Sequence, residues 1–167
     1  MSWARAAYRS RQFFGAFRAR LEEEERAEVT THLTSAEQHL FYSMDLRDQR
    51  HALDVFYALE AAGHRDASLL AAAFLHDVGK GPIRLWQRVA FVLLRAVSPR
   101  LLRRLASGEG GGWRGALARS LDHAERGAAL AEAAGSTAET VRLIRLHRSP
   151  AGDDVALGLL QAADEAS

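Results

Sequence analysis

The stretch "ASLLAAAFLHDVGKG", residues 67–81, decides the fold because it turns from wholly apolar to strongly polar within a few positions. Its first nine residues carry no charge. They are rich in Ala and Leu, so they predict a buried helix that ends near Gly79. His76 and Asp77 then lie at the end of an apolar helix, shortly before Lys80, the only lysine of the chain. This placement of polar residues needs a chemical reason.

Composition limits the classes of function. The chain has 167 residues and is 48% hydrophobic, which suits one compact domain. It has no Cys, which excludes disulfides, thiolate metal ligands and a cysteine nucleophile. The formal net charge is +1, so overall charge predicts no specific nucleic-acid partner.

The sequence also bears on location. No run reaches the 18 or so consecutive apolar residues that span a bilayer. The opening residues, "MSWARAAYRSRQFFGAFRARL", carry Arg throughout and lack the apolar centre of a secretory signal. We therefore expect a cytoplasmic protein, either free or peripheral to the inner membrane face.

The helical pattern extends along nearly the whole chain, and no segment shows the alternation of a strand. We therefore predict an all-α bundle of seven to nine helices. The expected starts and stops include an amphipathic helix over residues 3–20, a capping box at Thr34 and Glu37, helix caps at Asp48 and Asp66, a break at Ser98-Pro99, a flexible connection over residues 107–112, a second capping box at Ser136 and Glu139, and a last cap at Asp153.

Several polar residues fall on the apolar stripes of these helices. They come from five different helical segments and are His51, His76, Asp77, His123, His147 and Asp164. An ionised carboxylate in a dry core costs several kcal/mol or more unless a cation neutralises it. No Lys or Arg lies on the same stripes within a turn of Asp77 or Asp164. A divalent metal would neutralise both carboxylates and accept neutral imidazoles as further ligands.

The order of these residues resembles the HD-domain superfamily of metal-dependent phosphohydrolases, whose signature is a His, a His-Asp doublet and a distal Asp. "LLAAAFLHDVGKG" is similar to the doublet segment, "DQRHALDVFYAL" to the first-His helix and "LLQAADE" to the last-Asp helix. The resemblance covers residues 48–166. It implies a single HD domain over residues 34–167, a helical extension over 1–33, and a variable basic and apolar insertion over 82–112.

The resemblance also implies a ligand set. The mononuclear members match His51, His76, Asp77 and Asp164. Other members, including the HD-GYP phosphodiesterases and the symmetrical dinucleoside tetraphosphatases, add two histidines, and these match His123 and His147. We therefore expect two metals with Asp77 as the bridge. Fe or Mn is favoured, with Mg, Co, Ni or Zn as alternatives; His-rich ligation disfavours Mg in the second site.

The implied function is hydrolysis of a phosphomonoester or of a nucleotide phosphodiester or anhydride by a metal-bound hydroxide, with Asp77 and Lys80 in the catalytic set. The chain lacks the GYP segment, which argues against cyclic-di-GMP as the substrate. Two alternatives stay open. One is an HD-fold mixed-valent di-iron oxygenase; the other is a non-catalytic, metal-containing module associated with a membrane.

Three cations are candidates for binding the substrate. Lys80 follows the doublet by one turn, where it either contacts a phosphate or serves as a helix C-terminal cation. Arg50 and Arg148 are next to His51 and His147 and are expected to bind phosphate.

Residues 82–105 form an unusual basic and apolar segment. They include six arginines and no acid. The pattern fits either a lid or core helix whose arginines reach solvent, or a helix that lies on an anionic membrane surface.

Overall fold

The structure is a computed structural model that describes residues 21–106 and 112–167. These residues form nine α-helices and no strand, which confirms the predicted all-α bundle. The predicted helix over residues 3–20 and nearly all of the connection over 107–112 lie outside the described residues. The helices are α1 Glu23–His32, α2 Ser35–Ser43, α3 Leu46–Ala61, α4 Ala67–Leu75, α5 Leu85–Val97, α6 Pro99–Leu105, α7 Gly112–Ala133, α8 Ala138–Leu146 and α9 Val155–Ala166, with a 3₁₀ turn at Val78–Lys80 between α4 and α5.

Helix α4 is the central element of the bundle. Every residue from Leu69 to Leu75 is buried, as expected for a helix that is apolar on all sides. Its Phe74 ring packs against Phe56 of α3, with 4.6 Å between ring centroids, and against Phe41 of α2 at 5.7 Å. Since α4 is enclosed by its neighbours, the residues that follow its C-terminal end, His76 and Asp77, lie in the protein interior.

Two predicted helix starts are confirmed. Thr34 and Glu37 form the capping box of α2, in which each side chain pairs with the backbone of the other residue. Asp66 caps α4 by accepting the backbone N–H of Leu69 at 2.9 Å. Each cap satisfies N–H groups that the first turn of a helix leaves without partners.

The predicted cap of α3 at Asp48 is wrong. The helix begins at Leu46, with Asp45 at the cap position. Asp48 lies in the first turn, is buried, and accepts from Arg88 of α5 with 2.8 Å between Nη1 and Oδ1. Its carboxylate is therefore part of an ion pair between helices and not a cap.

Helices α8 and α9 each begin one residue later than predicted. Thr137 caps α8 in place of Ser136, and Asp154 caps α9 in place of Asp153. In both places two good capping residues are adjacent in the sequence, so propensity alone does not choose between them. The tertiary contact chooses in the first case: the Ser136 hydroxyl donates to the Glu37 carboxylate at 2.6 Å.

The residues after α4 pack tightly against α7. The α-helix ends at Leu75, four residues before the predicted stop at Gly79, and a 3₁₀ turn continues to Lys80. A Cβ on Gly79 would lie 2.0 Å from the carbonyl oxygen of His123 and 2.5 Å from the backbone N of Gly127. The function of Gly79 is thus to allow this close backbone approach, and it does not end the α-helix.

Helices α5 and α6 pack on α7 through a smaller apolar cluster of their own, built on Leu102, Ala106 and Leu117. Phe91 and Leu94 of α5 contribute to it. None of the helices in the described ranges has the length and apolar character needed to cross a membrane.

We predict that Gly79→Ala lowers the free energy of unfolding by about 1–3 kcal/mol, because the added methyl group overlaps backbone atoms that cannot move aside easily. Gly158→Ala is the matched control. A Cβ at this position in α9 would meet nothing closer than 3.8 Å, and Ala favours helix over Gly by up to about 1 kcal/mol. Urea unfolding followed by circular dichroism measures both. Equal stability of the two variants would contradict the close packing at Gly79.

Candidate metal centre

The six predicted ligands come from five places in the bundle and meet at one point. His51 lies early in α3, His76 and Asp77 directly follow α4, His123 lies within α7, His147 directly follows α8, and Asp164 lies near the end of α9. Their side chains form two groups whose ligand atoms lie within 4.8 Å of one another: His51, His76 and Asp77, and Asp77, His123 and His147. Both groups contain Asp77.

Asp77 lies at the centre of this cluster, and its two carboxylate oxygens face different partners. Oδ2 is 3.6 Å from Nε2 of His76 and 4.0 Å from Nε2 of His51. Oδ1 is 3.5 Å from Nε2 of His123. Asp164 closes the first side, with its Oδ1 at 2.8 Å from Nε2 of His51 and 3.6 Å from Nε2 of His76. One carboxylate therefore joins two sets of imidazoles.

The imidazoles are held in one orientation by the backbone. Nδ1 of His76 lies 3.0 Å from the carbonyl oxygen of Ala73, and Nδ1 of His147 lies 2.7 Å from that of Ile144. These carbonyls are in the last turns of α4 and α8, where a helix leaves carbonyl groups without partners. A carbonyl oxygen only accepts, so each Nδ1 carries the hydrogen. Each Nε2 is then free to serve as a ligand, which is the usual arrangement in protein metal sites.

His123 follows the same rule from within α7, since its Nδ1 donates to the carbonyl oxygen of Ser120 at 2.9 Å. Its Nε2 then faces Nε2 of His147 at 3.1 Å. With both hydrogens on Nδ1, two lone pairs point at each other at hydrogen-bond distance and no proton lies between them. A cation that both nitrogens bind would turn this repulsion into attraction.

The burial of His76 also favours a bound cation. Its side chain is fully buried, and its Nε2 has no hydrogen-bond partner although it faces two carboxylates. A buried polar atom without a partner costs about 1–3 kcal/mol. Neutral imidazoles and carboxylates around such an atom are a donor set that suits a divalent transition metal. The residues present therefore fit a metal.

Electrostatics in the cluster favour an added positive charge. Burial alone would raise the pKa of the Asp77 carboxyl, but the charges of His76 and Lys80 outweigh it and hold the pKa well below its usual range. Burial and the charge of His76 lower the pKa of His147 to about 4, and burial lowers the pKa of His123. Near neutral pH the His123 and His147 imidazoles are therefore uncharged and Asp77 is ionised. Burial opposes a charge on His76, but Asp77 and Asp164 outweigh it and raise the pKa of that imidazole; a bound metal would replace the proton on its Nε2.

We expected no Lys or Arg beside Asp77, and that expectation is wrong, because the Lys80 ammonium forms an ion pair with Asp77 Oδ2. The two residues are three apart, and residues at this spacing are neighbours on an α-helix as well as in the 3₁₀ turn at Val78–Lys80. The i, i+3 spacing was therefore the available signal for this ion pair. Lys80 is partly exposed, so the ammonium lies at the edge of the cluster.

The two arginines predicted to bind substrate have different surroundings. Arg148 is exposed and lies near enough to His123 for its charge to lower the pKa of that imidazole, after the larger effect of burial. Arg50 points towards α1, where its guanidinium forms an ion pair with Glu25. Arg50 is thus linked to another helix, and the charge of Arg148 acts on His123 without a direct contact to the cluster among the described interactions.

Two residues near the centre were missed from sequence. Gln161 of α9 donates from Nε2 to the carbonyl oxygen of His147 at 3.0 Å, which joins the helix that carries Asp164 to the turn that carries His147. Asp54 lies one turn after His51; burial raises its pKa, and the charges of His51 and Arg50 oppose that rise. Asp54 could have been found from sequence, because its i, i+3 spacing from His51 places both side chains on the same side of α3.

Comparison with models of known families, with curated proteins and with solved structures finds no match for this chain. The local geometry alone therefore supports the metal centre.

We predict that a divalent transition metal stabilises the folded chain, because the native cluster binds it and the unfolded chain does not. At about 100 times its dissociation constant, such a ligand adds about 2.7 kcal/mol to the free energy of unfolding. His147→Gln should reduce the effect, whereas His39→Gln, at an exposed histidine outside the cluster, should leave it unchanged. Thermal unfolding across a Mn²⁺ titration measures it. A wild-type melting temperature that stays the same as Mn²⁺ is added would contradict the assignment of a metal site.

Proposed function

We propose that this protein is a metal-dependent phosphohydrolase of the HD-domain type, acting on a small phosphomonoester or on a nucleotide phosphodiester or anhydride. One observation carries the proposal: a buried carboxylate, Asp77, shared by two groups of histidines whose Nε2 atoms all point inward. This arrangement suits two metals, and two-metal sites are typical of enzymes that displace groups at phosphorus.

The proposed ligands divide between the two metals. His51, His76 and Asp164 would hold the first, His123 and His147 the second, and Asp77 both. Bound metals of this kind polarise phosphoryl oxygens and lower the pKa of a water so that it can attack phosphorus near neutral pH. The chain has no Cys, and this chemistry needs no protein nucleophile.

The exposed side of the cluster indicates where a substrate would approach. The side chains of His51 and Asp164 are 27% and 21% exposed, whereas His76 is fully buried. Lys80 is 25% exposed and contacts the same Asp77 oxygen that faces His51. Substrate therefore reaches the cluster past these three side chains, and His123 and His147 form its closed side.

Charge at that opening supports an anionic substrate. The Lys80 ammonium lies beside Asp77 on this side of the cluster. An ammonium provides a compact charge with several donors for a phosphoryl oxygen. In the proposed enzyme, Lys80 turns from Asp77 to the substrate, so it orients the phosphoryl group and stabilises its charge.

Phosphate release by metal-reconstituted protein tests the function, on a panel of phosphomonoesters, nucleotide phosphodiesters and dinucleoside polyphosphates. We predict that Asp77→Asn abolishes activity and metal binding together, because both groups of ligands lose their shared member. Asp48→Asn, which changes another buried aspartate, should retain both activity and metal binding. Circular dichroism confirms that each variant is folded.

Two outcomes would contradict the hydrolase. The first is full activity in the Asp77→Asn variant. The second is iron-dependent oxygen uptake with a small organic substrate and no phosphate release, which would identify the protein as an oxygenase with the same ligands.

The role of Lys80 can be tested separately. We predict that Lys80→Gln lowers kcat/KM by about 10–150-fold, the loss expected when a charged hydrogen bond worth about 1.5–3 kcal/mol is removed. Metal binding should not weaken, since the substitution removes a cation that competes for Asp77. Metal titration and steady-state kinetics on one preparation measure both. Lower stability with unchanged kcat/KM would instead make Lys80 a helix C-terminal cation.

A further inference from the structure

The outward face of α5 carries an apolar stripe, formed by Trp86, Val89, Leu93 and Val97. Spacings of three, four and four residues place these side chains in one line along the helix. All four are exposed, and Val97 reaches 83%. Contiguous exposed apolar surface of this kind marks a place where a protein binds something else.

Packing of the helix does not explain the stripe. The opposite face of α5 already holds it to the protein, because Phe91 and Leu94 pack with Leu102 and Leu117. Val92 on α5 and Leu101 on α6 are also exposed and extend the apolar surface. Within residues 21–106 and 112–167, the stripe therefore faces solvent while the helix is anchored from behind.

The segment that carries the stripe has charges of one sign. Residues 82–105 contain six arginines and no acidic residue. Arg88 is used internally, in the ion pair with Asp48. No carboxylate in the described part of the chain pairs with Arg100 or Arg103 of α6. These side chains are free to meet an external anion.

The arginines of α6 surround a groove next to the stripe. It has a volume of about 820 Å³ and is lined by Arg100, Arg103 and Arg104 together with Ser98 and Leu101. Val97, the most exposed residue of the stripe, directly precedes this group. An apolar surface thus adjoins a cationic groove, as in helices that lie in a membrane interface.

Charge complementarity indicates which partner binds the stripe and the groove beside it. Residues 1–20 of the chain contain five arginines and no acid, so this segment would bring like charge to the stripe. A second copy of α5 and α6 would do the same. An anionic lipid surface, in contrast, offers apolar material to the stripe and phosphates to the arginines, each worth about 1 kcal/mol near such a surface.

We propose that α5 and α6 bind the surface of an anionic lipid bilayer, with the apolar stripe in the boundary between headgroups and acyl chains and the arginines at the lipid phosphates. This inference goes beyond the proposed function and does not depend on it. The metal centre is built from other helices, so the two can fail separately.

Co-sedimentation of the full chain with vesicles tests the proposal. We expect binding to vesicles of equal parts phosphatidylcholine and phosphatidylglycerol, little binding to phosphatidylcholine alone, and weaker binding as salt rises. The double variant Leu93→Glu with Val97→Glu should reduce the partition coefficient by about tenfold or more. Both side chains are exposed, so the fold should tolerate the change.

Val155→Glu is the matched control, because Val155 is 75% exposed on α9, away from this segment. It should bind vesicles like the wild type. Equal binding to neutral and anionic vesicles, or no binding, would overturn the proposal. If the stripe instead joins two copies, the double variant turns a dimer into a monomer in sedimentation velocity while neither form binds lipid. If residues 1–20 cover it, the double variant increases hydrogen exchange in those residues alone.

Discussion

A buried, ionised carboxylate at the centre of five helical segments is the constraint on which this structure depends. Asp77 is 2% exposed, and a charge taken so far out of water is tolerated only with compensation. His51, His76 and His123 contact it, and Lys80 neutralises part of its charge. These contacts place the chain in an arrangement that a metal would complete.

The fold places that carboxylate through packing. The apolar helix α4 runs through the core and leaves His76 and Asp77 at its end. Gly79 and Gly127 then allow the following turn to lie directly on α7, which carries His123. A larger residue at Gly79 would overlap the backbone of α7, so it would move the turn away from α7 and separate Asp77 from that imidazole. The same local geometry thus serves stability and the site.

The sequence was sufficient for the helical fold and for the cluster of six His and Asp residues, because both follow from periodicity. A polar residue on an apolar stripe must lie inside, and His51, His123 and Asp164 were found in this way. The Lys80–Asp77 ion pair follows from an i, i+3 spacing that the sequence does contain, but the sequence could not show that the α-helix ends at Leu75 and a 3₁₀ turn follows. Nor could it choose between Asp153 and Asp154 as the cap of α9, because adjacent residues of equal propensity differ only in their tertiary surroundings.

The most direct test of the central claim, that Asp77 joins two metal positions, is a crystal structure of the Mn²⁺-loaded chain with anomalous scattering data. If the claim holds, the data show two peaks about 3.5–4 Å apart. One should lie among His51, His76 and Asp164, the other beside His123 and His147, and Asp77 should bind both. A single peak that leaves His123 and His147 without metal, or no peak with Lys80 still bound to Asp77, would contradict it.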